Sequence, residues 1–584
     1  MAEQEQPETP SAVGGAIALP EMKPAKAAIS SIRVAKGVAD QIFLSKLTVD
    51  SLRFPKSVAT AVRAAVTEAK LQVPEAGPNG EVAAADGADP EAPLVVFINS
   101  KSGGRLGPEL FDALITEIGA LQVYDLSKVK PQVALTTIFG CLERLAGEGD
   151  EAASKARRRL RIVAAGGDGT VGWLLSVLEK FPSPPPVAVI PLGTGNDLSR
   201  TFGWGPSFSF LGIALFEQML LGVVTAQPCK LDGWSIQVTP SPDMDTTQMH
   251  LPYAIHPQET AGEAAPTSFL GNFYLYFSIG MDAQVAHSFH TLRERKPWLA
   301  RGRMANQAIY GGYGCTQGWF CTCCSTQPEA RCVHMIATFS VQKTKDGPWE
   351  DLDLPNDLRA VVVLNLPSYA GGRNPWGTPS ADLNAKEGWS PARPDDGMLE
   401  VIGLKGGWHT MAVMGNMARG TRIAQVRAGR ALSLPFPWVG TLLPLALPPP
   451  ASQPPMLLPR CSSHAPIATC AWHAHSPEGR AQAVGLDADR RRAVALLAFS
   501  LKLHHPIIYP LSSPKQVHGM RIALRGEHRR LAFMQIDGEP WEQPLSVGSR
   551  EPTNIEILPR PIQSDMVAPP SCRLFADAAA APAE

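Results

Sequence analysis

The chain has 584 residues, enough for about three or four domains of ordinary size. Lys plus Arg (53) nearly balances Asp plus Glu (54), so no global basic field draws in nucleic acid, and an anionic partner has to be met by a local patch. The N-terminus lacks the basic and apolar regions of a secretory signal, and the nearest thing to a membrane span, Ala431 to Pro450, is broken by Pro435, Pro437 and Pro444.

These features predict a cytoplasmic protein that visits membranes peripherally, with its ten cysteines reduced. Residues 1–92 are rich in Ala, Pro, Glu and Gly and read as a partly disordered extension, above all from Val73 to Pro93. Within it, Thr48 to Lys70 carries a weak helical pattern.

From Leu94 the texture changes. Leu94 to Ile98 is a short, wholly apolar run that reads as a buried strand, ending in the polar loop Asn99 to Gly104. Arg161 to Ala165 is a second such strand and runs into Gly166-Gly167-Asp168-Gly169-Thr170. Val187 to Ile190 is a third, running into Gly193-Thr194-Gly195-Asn196-Asp197. A helical pattern follows each loop. Repeated strand–loop–helix units predict an α/β domain with a parallel sheet over residues 93–228, whose loops converge beyond the carboxyl ends of the strands.

Past residue 228 the pattern turns strand-like: Trp234 to Val238, Phe273 to Ile279, Val333 to Lys343, Leu358 to Leu364 and Leu399 to Leu404. This predicts a second, mainly β domain over residues 229–561, an antiparallel sandwich or barrel, followed by a disordered tail at 562–584.

The loops carry the chemistry. Glycine lets backbone amides approach phosphate oxygens without an intervening Cβ, and a helix N-terminus behind the loop adds a favourable dipole. Asp168 then lies near the phosphates, as a base or a metal-organising carboxylate, and Thr170 is expected to cap the helix. A tight capped turn explains any one loop as well, but three at successive strand ends point to a nucleotide. The expected nucleotide-binding residues are Asn99, Ser102, Gly103 and Gly104 in the first loop, and Gly166, Gly167, Gly169 and Thr170 in the second. The third contributes Gly193, Thr194, Gly195, Asn196 and Asp197. None fits the Walker or the Rossmann pattern.

FINSKSGG, VAAGGDGTVGWLL and PLGTGNDLSRTFGWG closely resemble the catalytic domain of diacylglycerol kinases. FSIGMDAQVAHSFH, NLPSYAGGRNPWG, DDGMLEVIGLKGGWH and FMQIDGEPWEQP resemble that family's accessory domain, and NQAIYGGYGCTQGWF its plant and green-algal form. The resemblance covers residues 93–425 and 517–561. It implies ATP-dependent phosphorylation of diacylglycerol with Mg2+, in a cleft between the two domains. It further implies that Asp168 serves in catalysis, that Asp537 and Glu539 return to the cleft, and that Asp395 and Asp396 help hold a magnesium ion. Sphingosine, ceramide and NAD kinases share related glycine loops and are the alternatives within enzymes. A lipid-binding scaffold is the alternative outside them. Unlike many animal members, this chain shows no zinc module ahead of the catalytic domain.

Three further segments stand out. Arg293, Arg295, Lys296, Trp298, Arg301 and Arg303 mix basic residues with an aromatic, which suits either a transient contact with an anionic membrane or a solvated charge run. Cys321, Cys323, Cys324, Cys332 and His334 lack the second Cys pair of a zinc site and read as packed thiols. Residues 426–516 interrupt the family pattern. They hold nine Lys or Arg, three Asp or Glu and 14 prolines, and Gln425 would join Val517 without a break in the resemblance. The segment reads as a retained intron in the gene model, with a genuine disordered insertion as the alternative, one that would inactivate the enzyme if it disturbed Asp537 and Glu539.

Overall fold

The computed structural model describes residues 48–72, 92–102, 106–209, 213–258, 266–299, 303–317, 319–320, 332–342, 347–378, 388–427, 516–517, 519–526, 531–545, 548–549 and 551–575. The chain divides into two units, 1–430 with 513–584, and 431–512; the second lies outside the described residues.

The strands are β1 Leu94–Ile98, β2 Val123–Asp125, β3 Arg161–Gly166, β4 Val187–Pro191, β5 Gln227–Leu231, β6 Trp234–Thr239, β7 Ile255–Pro257, β8 Phe269–Phe273, β9 Tyr276–Gly280 and β10 Ala337–Gln342. They continue as β11 Trp349–Asp351, β12 Ala360–Leu364, β13 Met398–Leu404, β14 Thr421–Arg427, β15 Gln516–Val517, β16 Gly519–Leu524, β17 Leu531–Ile536, β18 Glu539–Pro544, β19 Thr553–Pro559 and β20 Ser564–Ala568. The helices are α1 Lys56–Glu68, α2 Leu106–Ile118, α3 Pro131–Gly147, α4 Glu151–Arg159, α5 Asp168–Leu178, α6 Asp197–Thr201, α7 Ile213–Thr225, α8 Met281–Arg295, α9 Arg303–Thr316 and α10 Gly407–Met414.

The first sheet has the order β2-β1-β3-β4-β20-β5, and its strands β2, β1, β3 and β4 run parallel. Helices cover both of its faces, which is why β1 and β4 are apolar and buried along their whole length. α1 contributes Val58, Val62 and Val66 to the same core, so this part of the N-terminal extension belongs to the α/β domain. Residues 73–91 lie outside the described residues.

The tail is a correction. Ser564 to Ala568, expected to be disordered, pairs antiparallel with β5 and touches β4 at Met566, and Met566 to Ala568 are fully buried. A strand added from the far end of the chain leaves no local pattern beyond five residues of mixed polarity, so only tertiary pairing reveals it.

The second sheet (β11-β10-β16-β19-β6-β8-β7) and the third (β15-β14-β13-β12-β9-β17-β18) are antiparallel apart from the β14–β15 pair, and they face each other across a core containing Trp234, Phe277 and Trp541. This is the expected sandwich. In β12, Val361 and Val363 point into that core, while Ala360, Val362 and Leu364 point the other way, into the core shared with the α/β domain. Burial on both faces explains why β12 is apolar without alternation.

β14 and β15 lie at the edge of the third sheet. The chain leaves at Arg427 and returns at Gln516, with Gln425 beside Gln516 and Val426 beside Val517 in parallel register.

Candidate active site

Because β1, β3 and β4 are adjacent and parallel, the loops after them leave the sheet at one edge. Backbone bonds stitch the loop roots together: the Asn99 amide donates to the Ala165 carbonyl and the Leu192 amide to the Gly166 carbonyl, both at 2.9 Å. In the first loop the Asn99 side chain accepts the Lys101 amide at 3.3 Å, and the Ser102 amide donates to the Asn99 carbonyl at 2.9 Å. Gly103 and Gly104 lie outside the described residues.

The second and third loops touch. A Cβ on Gly193 would stand 2.6 Å from the Gly167 Cα and 2.7 Å from the Asn196 Oδ1, so any side chain there would part them. A Cβ on Gly166 would meet the Thr170 Oγ1 at 2.5 Å. Thr170 therefore packs its side chain on Gly166 and does not cap α5; the capping position is Gly167, with no side-chain bond. The first amides of α5 take no side-chain cap, and the Thr170 amide donates to the Gly167 carbonyl at 3.0 Å; Gly169 faces open space.

Asp168 joins the two loops. Its Oδ2 accepts the Asp197 amide and its Oδ1 the Leu198 amide, each at 3.0 Å, which caps the short helix α6 from outside. Burial pushes this carboxyl up, as does the neighbouring Asp197 charge, against the pull of the Leu198, Asp197 and Asn196 amides. Asn196 takes a left-handed conformation (φ 54°) and donates through Nδ2 to the carbonyls of Gly193 at 2.8 Å and Pro206 at 2.9 Å. Its Oδ1 is buried and has no donor.

Asp197 points across to the β domain. It accepts the Ser368 hydroxyl and the Gly371 and Gly372 amides, with Gly371 at 2.9 Å from Oδ2 and Gly372 at 2.9 Å from Oδ1. Sequence reasoning placed NLPSYAGG in the family without giving Ser368, Gly371 or Gly372 a role. The only signal was the glycine pair after a strand. Arg373 continues the connection, donating through Nε to the Met414 carbonyl at the end of α10 (3.0 Å) and through Nη1 to the Gly371 carbonyl (3.1 Å).

Asp537 and Glu539 sit at the hairpin between β17 and β18. Asp537 (φ 49°) accepts the amides of Tyr274 at 2.9 Å, Leu275 at 2.8 Å and Tyr276 at 3.0 Å. This pull splits the expected strand Phe273 to Ile279 into β8 and β9. Burial outweighs the three amides and pushes the Asp537 carboxyl up to about 7. Glu539 is also pushed up by burial, opposed only by a bond from the Tyr253 amide. The Tyr253 ring lies edge-on to Trp173 of α5, with centroids 6.3 Å apart, so the hairpin stands over the helix that begins at Asp168.

Asp395 and Asp396 lie in the turn before β13. Asp395 is held by the Arg393 guanidinium at 2.9 and 3.1 Å. Asp396 accepts the Met398 amide at 3.0 Å, and burial, followed by the charges of Asp232 and Asp395, pushes it up to about 7. Asp232, not expected from the sequence, binds the Gly397 amide of the same turn at 2.6 Å. Among the described residues no three acidic, His or Cys side chains gather closely enough to enclose a metal on their own. Cys321, Cys323 and Cys324 lie outside the described residues; the Cys332 thiol takes a bond from Arg359, and Cys332 is buried.

Comparison with known proteins agrees with this architecture. The model of the diacylglycerol kinase catalytic domain matches residues 93–225, and that of the diacylglycerol kinase accessory domain matches residues 272–433. Diacylglycerol kinase 4 of Arabidopsis thaliana is 47% identical over 355 residues, 58% of this chain and 73% of the relative. Diacylglycerol kinase 7 of the same plant is 45% identical over 366 residues, 60% and 73% of the two chains. A crystal structure of a diacylglycerol kinase from Bacillus anthracis str. Sterne aligns with a TM-score of 0.32 and 12% identity, covering 82% of this chain and 97% of that one, too loosely to place a side chain.

Proposed function

The chain belongs to the diacylglycerol kinase family and is an ATP-dependent lipid kinase acting on diacylglycerol; from that premise we propose how its own residues carry the reaction. The observation that carries the proposal is the contact between the Gly167 and Gly193 loops, with Asp168 bridging them. Phosphoryl transfer asks a protein mainly to position phosphates and stabilise charge. The exposed amides of the glycine loops and the N-terminus of α5 bind the triphosphate. Asp168 and Asp197 act as positioning residues, since their oxygens already accept backbone amides. Asp168 fixes one glycine loop to the other, and Asp197 fixes both to the β domain. Glu539, raised by burial and holding a single amide bond, accepts the proton of the acceptor hydroxyl as that oxygen bonds to the γ-phosphorus and the bond to the β-phosphate breaks.

Two features support a Mg2+ requirement. Asp396, crowded by Asp232 and Asp395, gains from a cation, and the Asn196 Oδ1 is a buried acceptor without a donor. Asp396 with Asp232 would hold one ion, while Asn196 would face the metal that accompanies ATP. When bound, such an ion neutralises phosphate charge as it develops. Mg2+ is expected to raise the melting temperature of the wild type but not of Asp396→Asn; equal protection of both would remove Asp396 from the metal site.

No helix among the described residues is long and apolar enough to cross a membrane; a diacylglycerol substrate would bring the enzyme to the bilayer surface in this reading. The turn after α8 exposes Trp298 (61%) beside Arg293, Arg295 and Lys296, which supports transient contact there. Arg301 lies outside the described residues.

A radiolabelled ATP assay on mixed micelles tests the assignment, with diacylglycerol, ceramide and sphingosine compared. Label should pass to diacylglycerol. Preferential transfer to a sphingoid base would overturn the substrate class, and no transfer at all would favour a scaffold.

A further inference from the structure

The helix α10 is apolar on two sides. Its inner side is packed: Gly407 and Val413 are buried, and the Gly407 amide donates to the Trp319 carbonyl at 2.9 Å. Its outer side exposes Trp408 (58%) and Met411 (43%), and Met417 (75%) follows just past its end. These side chains form one patch. The Met417 amide turns back to the Ala412 carbonyl at 2.8 Å, and the Trp408 ring lies edge-on to Phe320, with centroids 5.1 Å apart. Large apolar side chains gathered on a surface mark a binding face rather than scattered exposure.

The surrounding charge identifies the partner. Of the cations near it, Lys405 and Arg419 are exposed, whereas Arg422 is half-buried and donates to the Trp376 carbonyl. Lys405 is half-exposed and pairs with Asp357 at 3.0 Å. A patch of Trp and Met with Lys405 and Arg419 exposed nearby suits a bilayer with anionic headgroups, where the apolar side chains enter the interface and the cations meet phosphate. This face is separate from the turn after α8. Phe320 follows the C-terminal end of α9, whose 14 residues span about 21 Å from the end nearer that turn.

We propose that Trp408, Met411 and Met417 form the face by which the protein enters an anionic lipid bilayer. The idea rests on the kinase assignment, because a lipid substrate has to be met at a bilayer surface. The face is also wired to the nucleotide loops: Arg373 joins the end of α10 to Gly371, whose amide is held by Asp197. Bilayer contact that steadies α10 therefore steadies the Asp197 clamp.

The test is the variant Trp408→Ser/Met411→Ser/Met417→Ser, compared with the wild type for sedimentation with vesicles of phosphatidylcholine and phosphatidylserine. Removing three large exposed apolar side chains is expected to weaken binding by at least about tenfold. Turnover on diacylglycerol in those vesicles should fall in parallel, whereas turnover on a water-dispersed, short-chain diacylglycerol should be unchanged. Vesicle binding equal to wild type would overturn the proposal, as would a change of oligomeric state in the variant, which would make the face a protein interface. A wild type that phosphorylates neither form of diacylglycerol would overturn the kinase assignment instead, and the sedimentation result would still decide whether the face binds bilayers.

Discussion

Asp168→Asn should lower kcat/KM for ATP by about 10²-fold or more, because misplacing bound phosphates by about an ångström has that effect on transfer. The wild-type carboxylate gives one oxygen to the Asp197 amide and the other to the Leu198 amide. Asparagine keeps one acceptor and turns an NH2 group towards the second amide, so donor faces donor. The Gly193 to Asn196 loop should then swing away from Gly167, against which it now packs without room for a Cβ. Steady-state kinetics on a variant with near-wild-type melting would show the loss. A fully active variant would remove Asp168 from the phosphate-positioning machinery.

Asp537→Ala should instead act on stability. It strips the acceptor from three amides, those of Tyr274, Leu275 and Tyr276, in a buried bend. Each abandoned amide costs about 1–3 kcal/mol, so a loss of about 3–5 kcal/mol is expected. Alanine also tolerates the left-handed backbone (φ 49°) poorly, whereas asparagine visits it readily. Asp537→Asn keeps an acceptor for the Leu275 and Tyr276 amides and should lose less than Asp537→Ala, the remaining loss coming from its NH2 group facing the Tyr274 amide. Glu539→Gln, two residues on, should fold normally and lose about 10²-fold or more in turnover with the KM for ATP unchanged. An Asp537→Ala protein that melts like the wild type yet turns over no substrate would give Asp537 a chemical role. The pH dependence has a definite sign. A carboxyl raised to about 7 favours the folded state while protonated. Its contribution is complete below the unfolded value of about 4 and is lost as pH rises through about 7. The melting temperature of Asp537→Asn should accordingly fall less than that of the wild type across this range.

The glycine loops were legible because each is local: an apolar strand, a polar turn and a helix occupy consecutive residues, and parallel pairing does the rest. Their partners were not. Ser368 and Gly371 reach Asp197 from over 170 positions away, and Asp537 reaches Tyr274 from 263. Such bonds leave no periodicity. Nor does the sequence show that the Asp168 oxygens accept the Asp197 and Leu198 amides, since those partners lie about 30 positions further on. β20 escaped for a related reason: its five residues gain their order only from β5, more than 300 positions earlier.

The register of β14 against β15 bears on the history of the gene. Gln425-Val426 and Gln516-Val517 are the same dipeptide, placed one strand spacing apart, about 4.8 Å. In a chain made without residues 426–516, Val517 would have to follow Gln425 across only about that distance, while the IDGE hairpin is tied to Tyr274, Leu275 and Tyr276 by bonds that do not involve the segment.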